Sequence, residues 1–176
     1  MPVKNLRNNI YFLMIYRLGI ILFLYIICRL LFLTFNHELF EEISYKEYLK
    51  IFYGGFKFDI SGILYTNVFF ILLCIIPFRF RQKKIYSKAV FWVYIISNGI
   101  AILSNCIDFA YYPFNNKRLS ILVFQEFKNE ENFIKLIFYF IIDYWYISLI
   151  YISMLFFIVK MYRGSINTQP FFKKKS

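Results

Sequence analysis

Four long apolar runs mark the chain, at about 10–34, 60–78, 89–109 and 136–159, with polar segments between them. A hydrocarbon core about 30 Å thick takes about 20 residues of helix rising 1.5 Å each, and every run meets that length. Lipid offers no partner to an open backbone amide, so the runs are expected to be helical. The pattern therefore predicts an all-α fold: a polytopic membrane helix bundle with four transmembrane helices and short interfacial helices. Residues 1–176 read as a single membrane domain, with 160–176 as a basic tail.

Polar positions inside the runs are not scattered. Asp59, Gly62 and Thr66 fall at i, i+3 and i+7 on one helical face. Asn98, Ala101, Asn105 and Asp108 form a second stripe of the same kind. Such groups facing lipid would cost several kcal/mol each, so both stripes should face protein or water. Asp143 interrupts the last run in FYFIIDYWYISLI, about two turns inside if the span begins near Leu136. The neighbouring Tyr144, Trp145 and Tyr146 can instead mark the headgroup level, which makes Asp143 shallower. Between the first two runs, EISYKEYLKIFYGG suits an interfacial helix with aromatic anchors, broken at Gly54 and Gly55. The segment 119–132 carries too much charge to span and reads as a surface helix or loop.

Composition reinforces the membrane reading. The chain is 60% hydrophobic, with 24 Phe and 16 Tyr, far more than a soluble domain of 176 residues needs. Its net charge of +11 would suit nucleic acid, but the distribution argues against that. Basic residues without acids occupy the N-terminus, the 79–88 loop and the C-terminus, whereas the acids lie in 35–59, in 108–131 and at Asp143. Four alternating spans put the basic segments on one side, and the positive-inside rule makes that side cytoplasmic. The expected location is the bacterial cytoplasmic (inner) membrane, multi-pass, with both termini cytoplasmic. The bilayer is the expected partner and nucleic acid is not.

The first run is too long for a cleaved signal peptide and lacks a small-x-small cleavage site, so it reads as a retained anchor. Arg17 is expected to snorkel to the inner interface and Arg29 to the outer one. Cys28, Cys74 and Cys106 all fall inside runs without metal-ligand spacing and read as small apolar residues. His37 stands alone beside acids, and one ligand makes no metal site. No phosphate loop, GxSxG or HExxH motif occurs.

The candidate site is an outer-side polar cluster: Arg29, Lys57, Asp59, Asn105, Asp108, Lys117, Arg118 and Asp143. Two readings stand open. The cluster is either a pocket that holds a lipid headgroup or positions an outer domain, or a set of internal ion pairs that fixes helix packing.

The strings FDIS with GILYTNVFFILL…IPF, then SNGIAILSNCIDFAYYPFNNKR, then IIDYW resemble the N-terminal membrane region of a bacterial family. That family is the lipoteichoic acid synthase-like sulfatases, or phosphoglycerol transferases, of the alkaline phosphatase superfamily. The similarity runs from about Tyr11 to Arg163. It implies five spans preceding an extracytoplasmic α/β domain with a threonine nucleophile and a divalent metal such as manganese. The chain stops at Ser176 after a fourth run, so the nucleophile and metal ligands have no positions here. The expectation is a membrane-anchor region without the catalytic domain, inactive alone and without a cofactor of its own. A separately encoded catalytic domain or another membrane protein is the expected partner. The alternatives are a stand-alone structural or interaction subunit, and a small transporter using its intramembrane acids.

Overall fold

The computed structural model describes residues 10–40, 44–76, 83–115 and 141–166. Among them every regular element is a helix, as the apolar runs require. We label them α1 (Ile10–Phe35), α2 (Tyr45–Thr66), α3 (Val68–Ile75), α4 (Lys84–Asn115) and α5 (Trp145–Ile166), with a 3₁₀ turn at His37–Phe40 after α1. Three helices, α1, α4 and α5, are each long and apolar enough to cross a membrane. The pair α2 and α3, bent by 61°, makes a fourth when taken as one span. The protein is thus an all-α bundle compatible with a multi-pass membrane protein.

The bundle is built around α1 and α4. α4 packs along α5 and α1, while α2 and α3 close against both. Its centre is apolar and aromatic: Ile21, Phe70 and Ile102 are fully buried, and Tyr94 contacts the rings of Phe70 and Tyr162 at centroid distances of 4.9 and 5.2 Å. The outer faces are equally apolar. Tyr65 is 83% exposed and Phe69 and Phe156 are both 68% exposed, alongside Ile15, Trp92, Ile100 and Ile152. A surface of that kind is tolerable in hydrocarbon and not in water.

Helix boundaries follow from local chemistry. α2 starts after Ser44, whose backbone N–H donates to the Glu47 carboxylate at 3.0 Å, one arm of a capping box. The helix then runs straight through Gly54 and Gly55, where the sequence predicted a break. Gly55 has a packing purpose instead: a Cβ there would coincide with the guanidinium of Arg29, which lies across the helix at that point.

The break falls at Asn67, within what the sequence predicted as one straight span over 60–78. Asn67 takes φ −99° and ψ 11°, and its side-chain Nδ2 donates to the carbonyl of Ile63 at 3.0 Å. A short amide that bonds its own backbone competes with the helix ladder in this way. The same Nδ2 donates to Asn98 Oδ1 at 2.9 Å, and Asn98 Nδ2 returns a bond to Asn67 Oδ1 at 2.7 Å.

α4 carries Pro113 in its last turn. Proline has no N–H to give the carbonyl four residues back, which is that of Phe109. Asn36, just beyond α1, supplies the replacement: its Nδ2 reaches the Phe109 carbonyl at 3.4 Å. α5 runs from Trp145 to Ile166, one turn residue, Tyr144, after the helical residues 141–143; the predicted start near 136 lies outside the described residues. Asp143 is exposed and belongs to the helical residues just before that turn.

Candidate functional site

Periodicity on three helices brings four of the predicted residues to one place. Arg29 comes from α1, Asp59 from α2, and Asn105 and Asp108 from α4; all four line a small cavity of about 10 Å³ with Tyr25 and Cys28. Arg29 Nη2 donates to Asp59 Oδ2 at 2.7 Å, and their side chains are only 12% and 15% exposed. This is the one ion pair found among the described residues. Asn105 Nδ2 is turned to its own helix, donating to the Ala101 carbonyl at 3.0 Å. Asp108 is 7% exposed.

Arg29 was expected to snorkel outward; it turns across Gly55 to Asp59 instead, because an opposite charge lies within reach and the glycine leaves room. Its Nε is buried without a hydrogen-bond partner. On another side of Arg29 lies a cleft of about 200 Å³ walled by Phe32, Phe40, Tyr48, Phe52 and Tyr112. The guanidinium carbon is 6.0 Å from the Phe52 ring centroid.

The other predicted members do not join this group. Lys57 is exposed, with its ammonium 4.7 Å from the Tyr53 ring centroid. Asp143 is exposed at the head of α5. Lys117 and Arg118 lie outside the described residues, as do the 119–132 segment and most of the three basic segments.

A second polar node escaped the sequence reading. Arg17, also expected to snorkel, is 3% exposed and faces inward. Its Nε and Nη2 donate to Ser165 Oγ at 3.2 and 3.0 Å, and its guanidinium carbon lies 3.7 Å from the Tyr162 ring centroid. Ser165 in turn donates to the Tyr162 carbonyl at 2.6 Å, and Tyr94 donates to the carbonyl of Arg17 at 2.9 Å. The signal for this node was available in outline: Arg17 sits in an apolar run, and such a residue usually faces the bundle. The signal for Asn67 was similar, a carboxamide directly before VFFILLCII.

Chemically, the first node can neutralise charge and hold three helices together. Among the described residues no group of three His, Cys, Asp or Glu converges to hold a metal. Thr66, which shares a face with Asp59, spends its hydroxyl on the Gly62 and Ile63 carbonyls. Set against protein-family models, curated proteins and solved structures, the chain has no match in any of the three.

Proposed function

We propose that this chain is a membrane anchor and scaffold, whose intramembrane polar residues hold its helices in register. The observation that carries this reading is the short Arg29–Asp59 ion pair between α1 and α2, backed by the reciprocal Asn67–Asn98 amides. Buried polar groups that bond one another across helices fix register and leave little for chemistry. Within that role we place the chain in the bacterial cytoplasmic membrane with both termini cytoplasmic, on the distribution of its basic residues. We further propose kinship with the membrane region of the lipoteichoic acid synthase-like phosphoglycerol transferases, on the strings FDIS, SNGIAILSNCIDFAYYPFNNKR and IIDYW. The partner is then a metal-dependent outer domain.

Two measurements test this. Reporters placed before Ile10 and between α4 and α5 should read cytoplasmic and extracytoplasmic respectively; the reverse orientation sinks the topology. A soluble phosphoglycerol transferase domain added to spheroplasts should sediment with membranes that carry the chain and not with control membranes. Equal sedimentation with both removes the anchor role.

A second reading has one observation in its favour. The cleft of about 200 Å³ beside the unpartnered Arg29 Nε suits an anionic lipid headgroup with its acyl chain against the aromatic wall. Anionic lipid that co-purifies with the wild type and is lost from Arg29→Met supports this reading; equal retention by both removes it.

A further inference from the structure

One end of the bundle gathers positive charge that no acid of the chain answers. Tyr16 of α1 donates to Met161 Sδ of α5 at 3.7 Å, and Tyr86 of α4 donates to the Leu73 carbonyl of α3 at 2.6 Å. With the Arg17–Ser165 bonds, these contacts bring the start of α1, the end of α3, the start of α4 and the end of α5 together. Lys83, Lys84, Lys88, Lys160 and Arg163 are all exposed there. α4 has no acidic residue before Asp108, and α5 has none. The adjoining chain segments, 1–9, 77–82 and 167–176, also contain no Asp or Glu. Like charges so gathered repel one another, and a counter-charge has to come from outside the chain.

The cations are not spread evenly over that end. Lys84, Lys88 and Phe91 fall at i, i+4 and i+7, on one face of α4. Phe91 is also where α5 meets that face. The Tyr162 ring lies 5.1 Å from it between centroids, and the guanidinium carbon of Arg163 is 5.9 Å from its centroid. Arg163 is thereby carried to within about a turn of Lys88, and the two flank the seam between α4 and α5. Along α5, Leu149, Ile152, Phe156 and Arg163 stand at i, i+3, i+7 and i+14 and are all exposed. An apolar track therefore leads up to the guanidinium.

We propose that Lys88 and Arg163, with Lys84 beside them, bind the phosphate of an anionic phospholipid whose acyl chain lies along Phe156 and Ile152. A guanidinium can give a phosphate two parallel N–H donors, and an ammonium adds a point charge. Depth selects a lipid among anions. The exposed track of α5 belongs in hydrocarbon, and Arg163 lies seven residues beyond Phe156, about 10 Å along the axis. That rise brings the cations to headgroup level, where basic groups between membrane helices meet lipid phosphates. The cleft beside Arg29 is at the other end of the bundle, so this site is separate from the one considered there. It rests on the bundle lying in a membrane and not on the anchor role or the family kinship.

The test uses the full chain in neutral detergent with equal amounts of phosphatidylglycerol and phosphatidylcholine of the same acyl chains. Native mass spectrometry counts the lipid that stays bound. Wild type should retain phosphatidylglycerol in preference. Lys88→Gln/Arg163→Gln should lower that preference about fivefold for each cation removed, the worth of one basic residue near an anionic surface. Lys46→Gln/Lys50→Gln removes the same charge from exposed positions on α2 at the opposite end and should leave the preference unchanged. Equal binding of the two lipids by wild type overturns the proposal and leaves the cations to a soluble acidic partner. An equal loss from both double variants overturns it too, as does displacement of the bound lipid by glycerol 3-phosphate at the same concentration. Both double variants should melt with wild type when no lipid is added. If Arg163→Gln melts lower through losing its place over Phe91, Lys88→Gln alone decides: a preference equal to wild type overturns the site.

Discussion

Arg17 and Arg29 lie twelve residues apart on α1, about 18 Å along its axis, and the bundle buries them in opposite ways. Arg29 meets a carboxylate, Asp59, at 2.7 Å. Arg17 meets no carboxylate among the described residues; a serine hydroxyl, a tyrosine face and the surrounding helices enclose it. The first arrangement cancels charge by pairing. The second spreads a positive charge over weak acceptors and a ring quadrupole, a geometry available to a planar guanidinium and not to an ammonium. A cation can thus be kept inside a helical bundle by a strong single partner or by several modest ones. The two solutions should fail differently when altered.

The largest effect is expected at the paired arginine. Asp59→Ala removes the carboxylate that Arg29 pairs with and should cost about 3–5 kcal/mol, as removal of one partner of a buried pair does. Unfolding in a titration of denaturing detergent would measure it. The double change Arg29→Met/Asp59→Leu should recover most of that loss, because no uncompensated charge remains. A double variant as unstable as Asp59→Ala would show that the pair matters for something other than its charge.

Arg17→Lys should cost about 1.5–3 kcal/mol, the worth of hydrogen bonds to a charged group, even though the charge is retained. The loss of the fork to Ser165 and of the stack on Tyr162 accounts for it. If Arg17→Lys melts with the wild type, charge alone holds that node and the contrast with Arg29 collapses.

Gly55→Ala should cost about 1–3 kcal/mol by overpacking against Arg29. In an Arg29→Ala background the same substitution should be nearly silent, a coupling that a double-mutant cycle reads directly. Additive effects would mean that the guanidinium does not lie over α2.

The smallest change is expected from Asn98→Leu, which removes one side of the amide pair. Side-chain hydrogen bonds between membrane helices average about 0.6 kcal/mol, and the loss should stay within about 2 kcal/mol. Thermal melting of Asn98→Leu beside Asn67→Leu would show whether the two losses match, as a shared bond requires.

The fold was legible to the extent that hydrophobicity and length decide it. Runs of apolar residues announced α1, α4 and α5, and the spacing of Asn98, Asn105 and Asp108 correctly put all three on a protein-facing side of α4. Grouping Arg29 with Asp59, Asn105 and Asp108 was also within reach, because charges inside an apolar run seek one another. What the pattern could not carry was rotation. Whether Arg17 points to the interface or into the bundle depends on which face of α1 meets α5, and the apolar residues surround that helix on all sides. The same limit hid the purpose of Gly55. A glycine pair reads locally as a break, and only the position of Arg29 on another helix turns it into a packing device.

The 61° joint at Asn67 has a mechanical consequence. α3 is eight residues long, about 12 Å, too short to cross a bilayer alone. Taken as one span, the α2–α3 pair fits the membrane as two linked segments. A straight helix answers a change in bilayer thickness by tilting along its whole length, which drags every contact it makes. A jointed span can take up the mismatch as a change of angle at the joint, leaving α2 seated on Arg29 while α3 follows the membrane.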